Sequence, residues 1–129
     1  MSRQKGLLRE IAAAINSDAP DRISNWFTED FRLHEPGEPA LPIGHEGARQ
    51  MREKGRQRRA ELKLLGLTTP LKLEILDMIE ETDRVAVRWQ VTGTYDNGKP
   101  YGQSIMSIYR FEKGRIAEDW GMAMPELWP

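Results

Sequence analysis

The hydrophobic period of this chain changes at Leu71, and that change limits what the chain can fold into. Before it, apolar residues recur every three or four positions. Leu7, Leu8, Ile11 and Ile15 lie on one stripe and predict an amphipathic helix over 3–16. Beyond Leu71 the period is two. In "LKLEILDMI", Leu71, Leu73 and Ile75 alternate with Lys72, Glu74 and Leu76. In "DRVAVRWQVTGTY", Val85, Val87, Trp89 and Val91 share one face, and Ala86, Arg88, Gln90 and Thr92 the other. "DNGK" supplies an Asn-Gly pair that accepts the positive φ of a tight hairpin, and "EKGR" links "GQSIMSIYRF" to "IAEDWGM". Helices followed by hairpin-linked strands specify an α+β class, with helices on one side of a mostly antiparallel sheet.

The first half supplies the remaining elements. Asp18 is a candidate cap for a second helix, with Pro20 tolerated in its first turn and Ile23, Trp26 and Phe27 as its buried stripe. "DFRLHEP" predicts a short strand ended by Pro36, and "PGEPALP" a loop. "HEGARQMREKGRQRRAELKLL" returns to helix, with Ala48, Met51, Gly55, Leu62 and Leu65 roughly on one side. No linker, repeat or low-complexity tract divides the 129 residues, so one domain over 1–129 is expected.

Composition excludes several chemistries. There is no cysteine, hence no disulfide, thiolate zinc site or cysteine nucleophile. With two histidines, His34 and His45, a histidine-rich metal site is not expected. Arg49 to Lys63 carries seven positive residues against two glutamates, without aromatics. Because net charge is −1, that run reads as a solvated helix face rather than a nucleic-acid site. The N-terminal apolar run, broken by Arg9 and Glu10, is neither a signal sequence nor a membrane span, and a cytoplasmic protein is expected.

The order helix, helix, short strand ending in proline, helix, then a four-strand meander resembles the nuclear-transport-factor-two-like superfamily. Within it the chain is most similar to the SnoaL-like (polyketide cyclase) group. The segments that carry the resemblance are "FTEDFRLHEPGEPALPIGHEG", "ETDRVAVRWQVTGTY" and "YRFEKGRIAEDW". It implies a cone-shaped α+β barrel in which helices and a bent sheet enclose an apolar cavity. It also implies which residues face inward: Ala117, Asp119 and Gly121; Ile105, Ser107 and Tyr109; Arg88 and Gln90; and Glu35, just before Pro36.

Under the resemblance Glu35 occupies the place of the proton-abstracting carboxylate of ketosteroid isomerases. A carboxylate in such a cavity has its charged form disfavoured, which raises its pKa toward catalytic usefulness. The bland alternative is that Glu35 faces solvent or pairs with Arg88. For Asp119, alternation alone leaves two readings. Either Ile116, Trp120 and Met122 form the buried face and Asp119 is wet, or Ala117, Gly121 and Ala123 are small because something fits beside Asp119.

The chain departs from related enzymes. Gly121 stands where SnoaL-like cyclases hold a general acid, Gln90 where limonene epoxide hydrolases hold an aspartate, and Ile11 and Ser107 where the isomerase holds oxyanion donors. Asp119 is one pleat from the cyclase position, a displacement of about 6–7 Å.

The expectation is a small cofactor-free enzyme performing cyclization, isomerization or dehydration on an apolar, carbonyl-bearing ligand. Glu35 and Asp119 would be acid and base and Arg88 the orienting cation. Gln90, Ser107 and Tyr109 would bind polar substrate atoms, and Trp26 would wall the pocket. The rival is a non-catalytic ligand-binding or dimerization module of the same fold. The face bearing Trp89 and its valines is expected to be the outer one, covered by a second copy or by the tail "MAMPELWP".

Overall fold

The computed structural model describes residues 2–129. The helices are α1 (Arg3–Ser17), the single turn α2 (Ile23–Trp26) and α3 (His45–Leu64). The strands are β1 (Phe27–His34), β2 (Lys72–Glu81), β3 (Arg84–Thr94), β4 (Pro100–Glu112) and β5 (Arg115–Met124). They form one sheet in the order β1-β5-β4-β3-β2. β1 runs parallel to β5 and the other pairings are antiparallel. The sheet is not closed; β1 and β2 are its edges. α1 packs against β2 and α3 against β1, so the helices cover one face only.

The period change at Leu71 therefore marks the boundary between the helical half and the meander. Turn chemistry also holds: Gly98 and Gly114 both adopt positive φ in the β3–β4 and β4–β5 turns. The second helix differs from expectation. Asp18 does not start it; its backbone, at φ 53°, closes the end of α1 by donating to the carbonyls of Ala14 and Ile15. Only one helical turn follows, because β1 already begins at Phe27.

A larger correction concerns β3. Val85, Val87 and Trp89 face the helices and belong to the core with Leu8, Ile11, Phe31, Tyr109 and Ile116. Arg88 and Gln90 are on the outer face. Arg88 Nε donates to Asp77 Oδ2 at 2.6 Å, and its guanidinium lies over the Trp128 ring. The physical reason is desolvation: turning Arg88 inward would cost the guanidinium its water and its Asp77 partner, whereas the valines and tryptophan gain by burial. Trp89 is thus not on the outer face. That face instead carries Met106, Ile108, Trp120, Met122 and Met124, with the tail's Trp128 donating to the Trp89 carbonyl at 3.3 Å.

Trp26 is corrected as well. It is fully buried and donates Nε1–H to Glu10 Oε2 at 2.6 Å, joining α1 to α2 instead of walling a pocket. α1 is fixed to the sheet edge at its other end. The Asn16 side chain accepts from Leu73 N–H and donates to Leu73 C=O, both at 2.8 Å, in place of a neighbouring strand. Asn16→Ala removes both bonds and is expected to destabilise the fold by about 1–2 kcal/mol, measured by chemical denaturation. An unchanged midpoint would show that the Asn16 bonds do not hold α1 to the sheet edge.

Candidate active site

Between the helices and the sheet lies an apolar cavity of about 220 Å³. α1 contributes Leu8, Ile11 and Ile15; α3 contributes Met51 and Arg52; β1 and the residue after it contribute Phe27, Leu33 and Glu35. The floor is set by sheet register. Val85, Tyr109 and Asp119 stand in one row across β3, β4 and β5; Val87, Ser107 and Gly121 in the next; Trp89, Ile105 and Ala123 in a third. All three rows face the helices. A bulge sets the phase: Phe111 pairs with Ile116 and Arg110 with Glu118, leaving Ala117 as the extra residue. Both Ile116 and Ala117 are buried as a result.

This register answers the question left open by alternation. Asp119 points inward and is 7% exposed, while Trp120 is on the outer face, stacked on His34. Asp119 Oδ1 is shut off from solvent and meets no hydrogen-bond donor. A buried carboxylate without a partner is costly, so the proton is favoured. Burial, first, and then the negative charge of Glu35 push the Asp119 carboxyl up to about 7; the neighbouring Ser107 hydroxyl only tempers this.

The small residue at 121 matters here. A Cβ placed on Gly121 would stand 3.1 Å from Ser107 Oγ and 3.3 Å from Asp119 Oδ1. The glycine therefore keeps the space beside the carboxyl open. Tyr109 completes the polar end. Burial, and secondarily the Asp119 charge, raise its phenol above the ordinary tyrosine value, so the ring keeps its proton. Trp89 meets the Tyr109 ring edge-on at 6.4 Å and fixes it.

The expected residues are thus partly brought together. Asp119, Ser107 and Tyr109 converge at the inner wall, and Glu35 is near enough for its charge to act on Asp119. Glu35 itself is exposed at the rim, so the two carboxyls do not share one dry hollow. Arg88 and Gln90 are excluded by strand facing and Trp26 by its burial between helices. Among the lining residues not anticipated are Trp89, whose place in the apolar alternation pointed to the core, and Arg52, one turn beyond Ala48 on the buried stripe of α3. A shallower groove of about 530 Å³ lies on the outer face, between the loop at 36–41 and Met106, Ile108 and Trp120. Leu33, Glu35, Gly121 and Met122 border both spaces. Among the described residues, no three His, Asp or Glu side chains converge as a metal site, and no helix is long and apolar enough to cross a membrane.

A SnoaL-like domain family model matches residues 8–119, which spans both the helices and the Asp119 strand. The chain belongs to the SnoaL-like domain family. No curated protein sequence matches it significantly. Solved structures agree on the fold. AclR, a candidate hydroxylase from Streptomyces galilaeus, is 22% identical with a TM-score of 0.72, over 98% of this chain and 81% of that one. IdmH, a candidate polyketide cyclase from Streptomyces antibioticus, is 19% identical with a TM-score of 0.72, over 95% and 92%. TerC, co-crystallized with polyporic acid, is 16% identical with a TM-score of 0.65, over 93% and 90%. An NTF2-like protein from Burkholderia pseudomallei also shares the fold, at 19% identity and a TM-score of 0.69, over 94% of this chain and 90% of that one.

The raised Asp119 value has a thermodynamic consequence. Its folded pKa lies above the unfolded value of 3.8, so the folded state binds the extra proton between the two. The stability it contributes is complete below about pH 4 and is lost as pH rises through about 7, a change on the order of 4 kcal/mol. Asp119→Asn should remove this slope. Denaturation midpoints of wild type and variant, compared from pH 4 to 8, test it; parallel curves would mean that Asp119 is not buried as an acid.

Proposed function

We propose that this SnoaL-like domain is a cofactor-free acid–base enzyme acting on an apolar, carbonyl-bearing small molecule. The observation that carries the reading is Asp119, a buried carboxyl with one oxygen unpartnered, at the wall of an apolar cavity. A group titrating near neutrality is populated as both acid and base, the condition under which one carboxyl accepts and returns a proton in a single turnover. Tyr109, kept protonated, and the Ser107 hydroxyl are the groups available to donate to a substrate carbonyl as negative charge develops on it. Glu35 works from the rim as a fixed negative charge that holds Asp119 basic. Cyclization, isomerization and dehydration all need such proton transfer, and the candidate polyketide cyclases among the structural neighbours are consistent with that class.

One observation favours the alternative of a ligand-binding module. Arg88 is on the outer face, so the orienting cation expected beside the carboxyls is absent from the inner wall. The two readings separate on chemistry. Wild type should accelerate deuterium exchange α to the carbonyl of a bound cyclic ketone, and Asp119→Asn should reduce the rate by about 10²–10⁴. Glu35→Gln removes the charge that raises Asp119 and should shift the pH–rate profile toward acid. Exchange that is equal in wild type and Asp119→Asn would leave only the binding role.

The same reading includes a homodimer formed through the outer sheet face. Met106, Ile108 and Met122 are 43%, 42% and 57% exposed on adjacent strands, a continuous apolar patch suited to a two-fold contact. Ile108→Glu should convert the dimer to monomer in sedimentation velocity. A monomeric wild type at high concentration would remove this element and leave the cavity reading untouched.

A further inference from the structure

A second space of about 200 Å³ adjoins the inner cavity at Arg52, between the end of α1, α3 and the strands β2–β4. Ile15, Arg52, Leu73 and Ile105 line both spaces. The two ends differ in character. The first has the carboxyl of Asp119; the second has one carboxylate, Asp18, against Arg58 and the trio Arg52, Arg56 and Arg59, which recur at three- and four-residue intervals on one face of α3.

The arginines are unequally satisfied. Arg52 Nε and Arg56 Nη2 divide the two oxygens of Asp21, at 3.1 and 2.7 Å. Arg58 pairs with Glu61 at 3.4 Å. Arg59 is half-buried, and its one hydrogen bond, at 3.3 Å, goes to the Ile15 carbonyl. Among the described residues, no carboxylate lies within ion-pair distance of it. Burial and the charges of Arg52 and Arg56 lower its pKa, and Asp18 only partly opposes them. A guanidinium nevertheless stays charged, so this one has N–H donors available to an anion entering the space.

Gly55 adds an independent observation. A glycine inside a helix costs about 1 kcal/mol relative to alanine. Here it borders this space, and an added Cβ would meet only Arg52 Nη1, at 3.8 Å. The helix gives up propensity at the exposed rim of this space.

We propose that the second chamber holds the carboxylate of the substrate, bound by Arg59 with the free N–H groups of Arg52 and Arg56, while the apolar body of the substrate fills the inner cavity toward Asp119. The substrate class is then an apolar compound bearing a carboxylate at the end remote from its reacting carbonyl. This rests on the reading of the inner cavity as a ligand chamber. Carboxylate and guanidinium fit in a forked geometry, and Asp119 at the other end, protonated below about pH 7, does not repel the anion.

The test uses 2-naphthoate and its neutral isostere 2-naphthamide, titrated into the protein at pH 6 and followed by NMR. The Ile11 methyl reports the inner cavity and the Arg59 Nε–H the arginine end. The acid should bind roughly tenfold more tightly than the amide, and the preference should vanish in Arg59→Met and persist in Arg59→Lys. Thermal melts establish that each variant is folded. If acid and amide bind equally while both shift Ile11, the chamber reading stands and the carboxylate assignment is overturned. If the preference survives in Arg59→Met, the assignment is likewise overturned. If neither compound shifts Ile11, both readings fall.

Discussion

The site depends on the phase of one strand. β5 could present either Asp119 and Gly121 or Trp120 and Met122 to the helices, and a one-residue slip exchanges the sets. The bulge at Ala117 and the pairing of Tyr109 with Asp119 decide in favour of the carboxyl. Everything that makes the cavity chemically interesting follows from that choice: the loss of water around Oδ1, the raised proton affinity, and the proximity of Ser107 and Tyr109.

The choice has a cost on the other face. With Asp119 and Gly121 turned inward, Trp120 and Met122 must turn outward, next to Met106 and Ile108 of β4. On β3 the same sheet does the opposite, with valines and Trp89 inside and Arg84, Arg88 and Gln90 outside. The sheet therefore does not divide into an apolar and a polar side. It has an apolar inner wall at β3, a polar notch at β4–β5, and an apolar outer patch behind the notch. The His34–Glu118–Arg110 chain, at 2.8 Å for each link, and the Arg84 guanidinium over Trp120 border that patch with paired charge.

The helices divide their labour in a comparable way. α1 supplies apolar roof and is tied down by Asn16 and Glu10. α3 supplies roof at Ala48 and Met51, then turns cationic from Arg52 onward while still facing the cavity. The basic run that reads as a solvated face in the sequence is solvated on one side only. Arg52 is the residue through which its positive charge reaches the inner chamber.

Much of the architecture was legible in residue order. The change of period at Leu71, the Asn-Gly turn, the proline ending the first strand and the small residues around Asp119 specified an α+β chain with a helical roof and a hairpin-built floor. These signals are local: they depend on propensity, turn geometry and spacing within a few residues. The assignment of faces was not local. Alternation shows that Arg88 and Trp89 lie on opposite sides, but which side is covered depends on where the helices land and how bulges phase neighbouring strands. The same holds for Glu35, whose place beside Pro36 was readable but whose exposure at the rim was not, and for Arg59, whose lack of an ion-pair partner exists only once α1, α3 and the sheet enclose it. The sequence by itself determined the elements and the inventory of chemical groups. The tertiary structure alone decided which of those groups lost their water, because desolvation is a property of what surrounds a side chain from every direction and not of its neighbours along the chain.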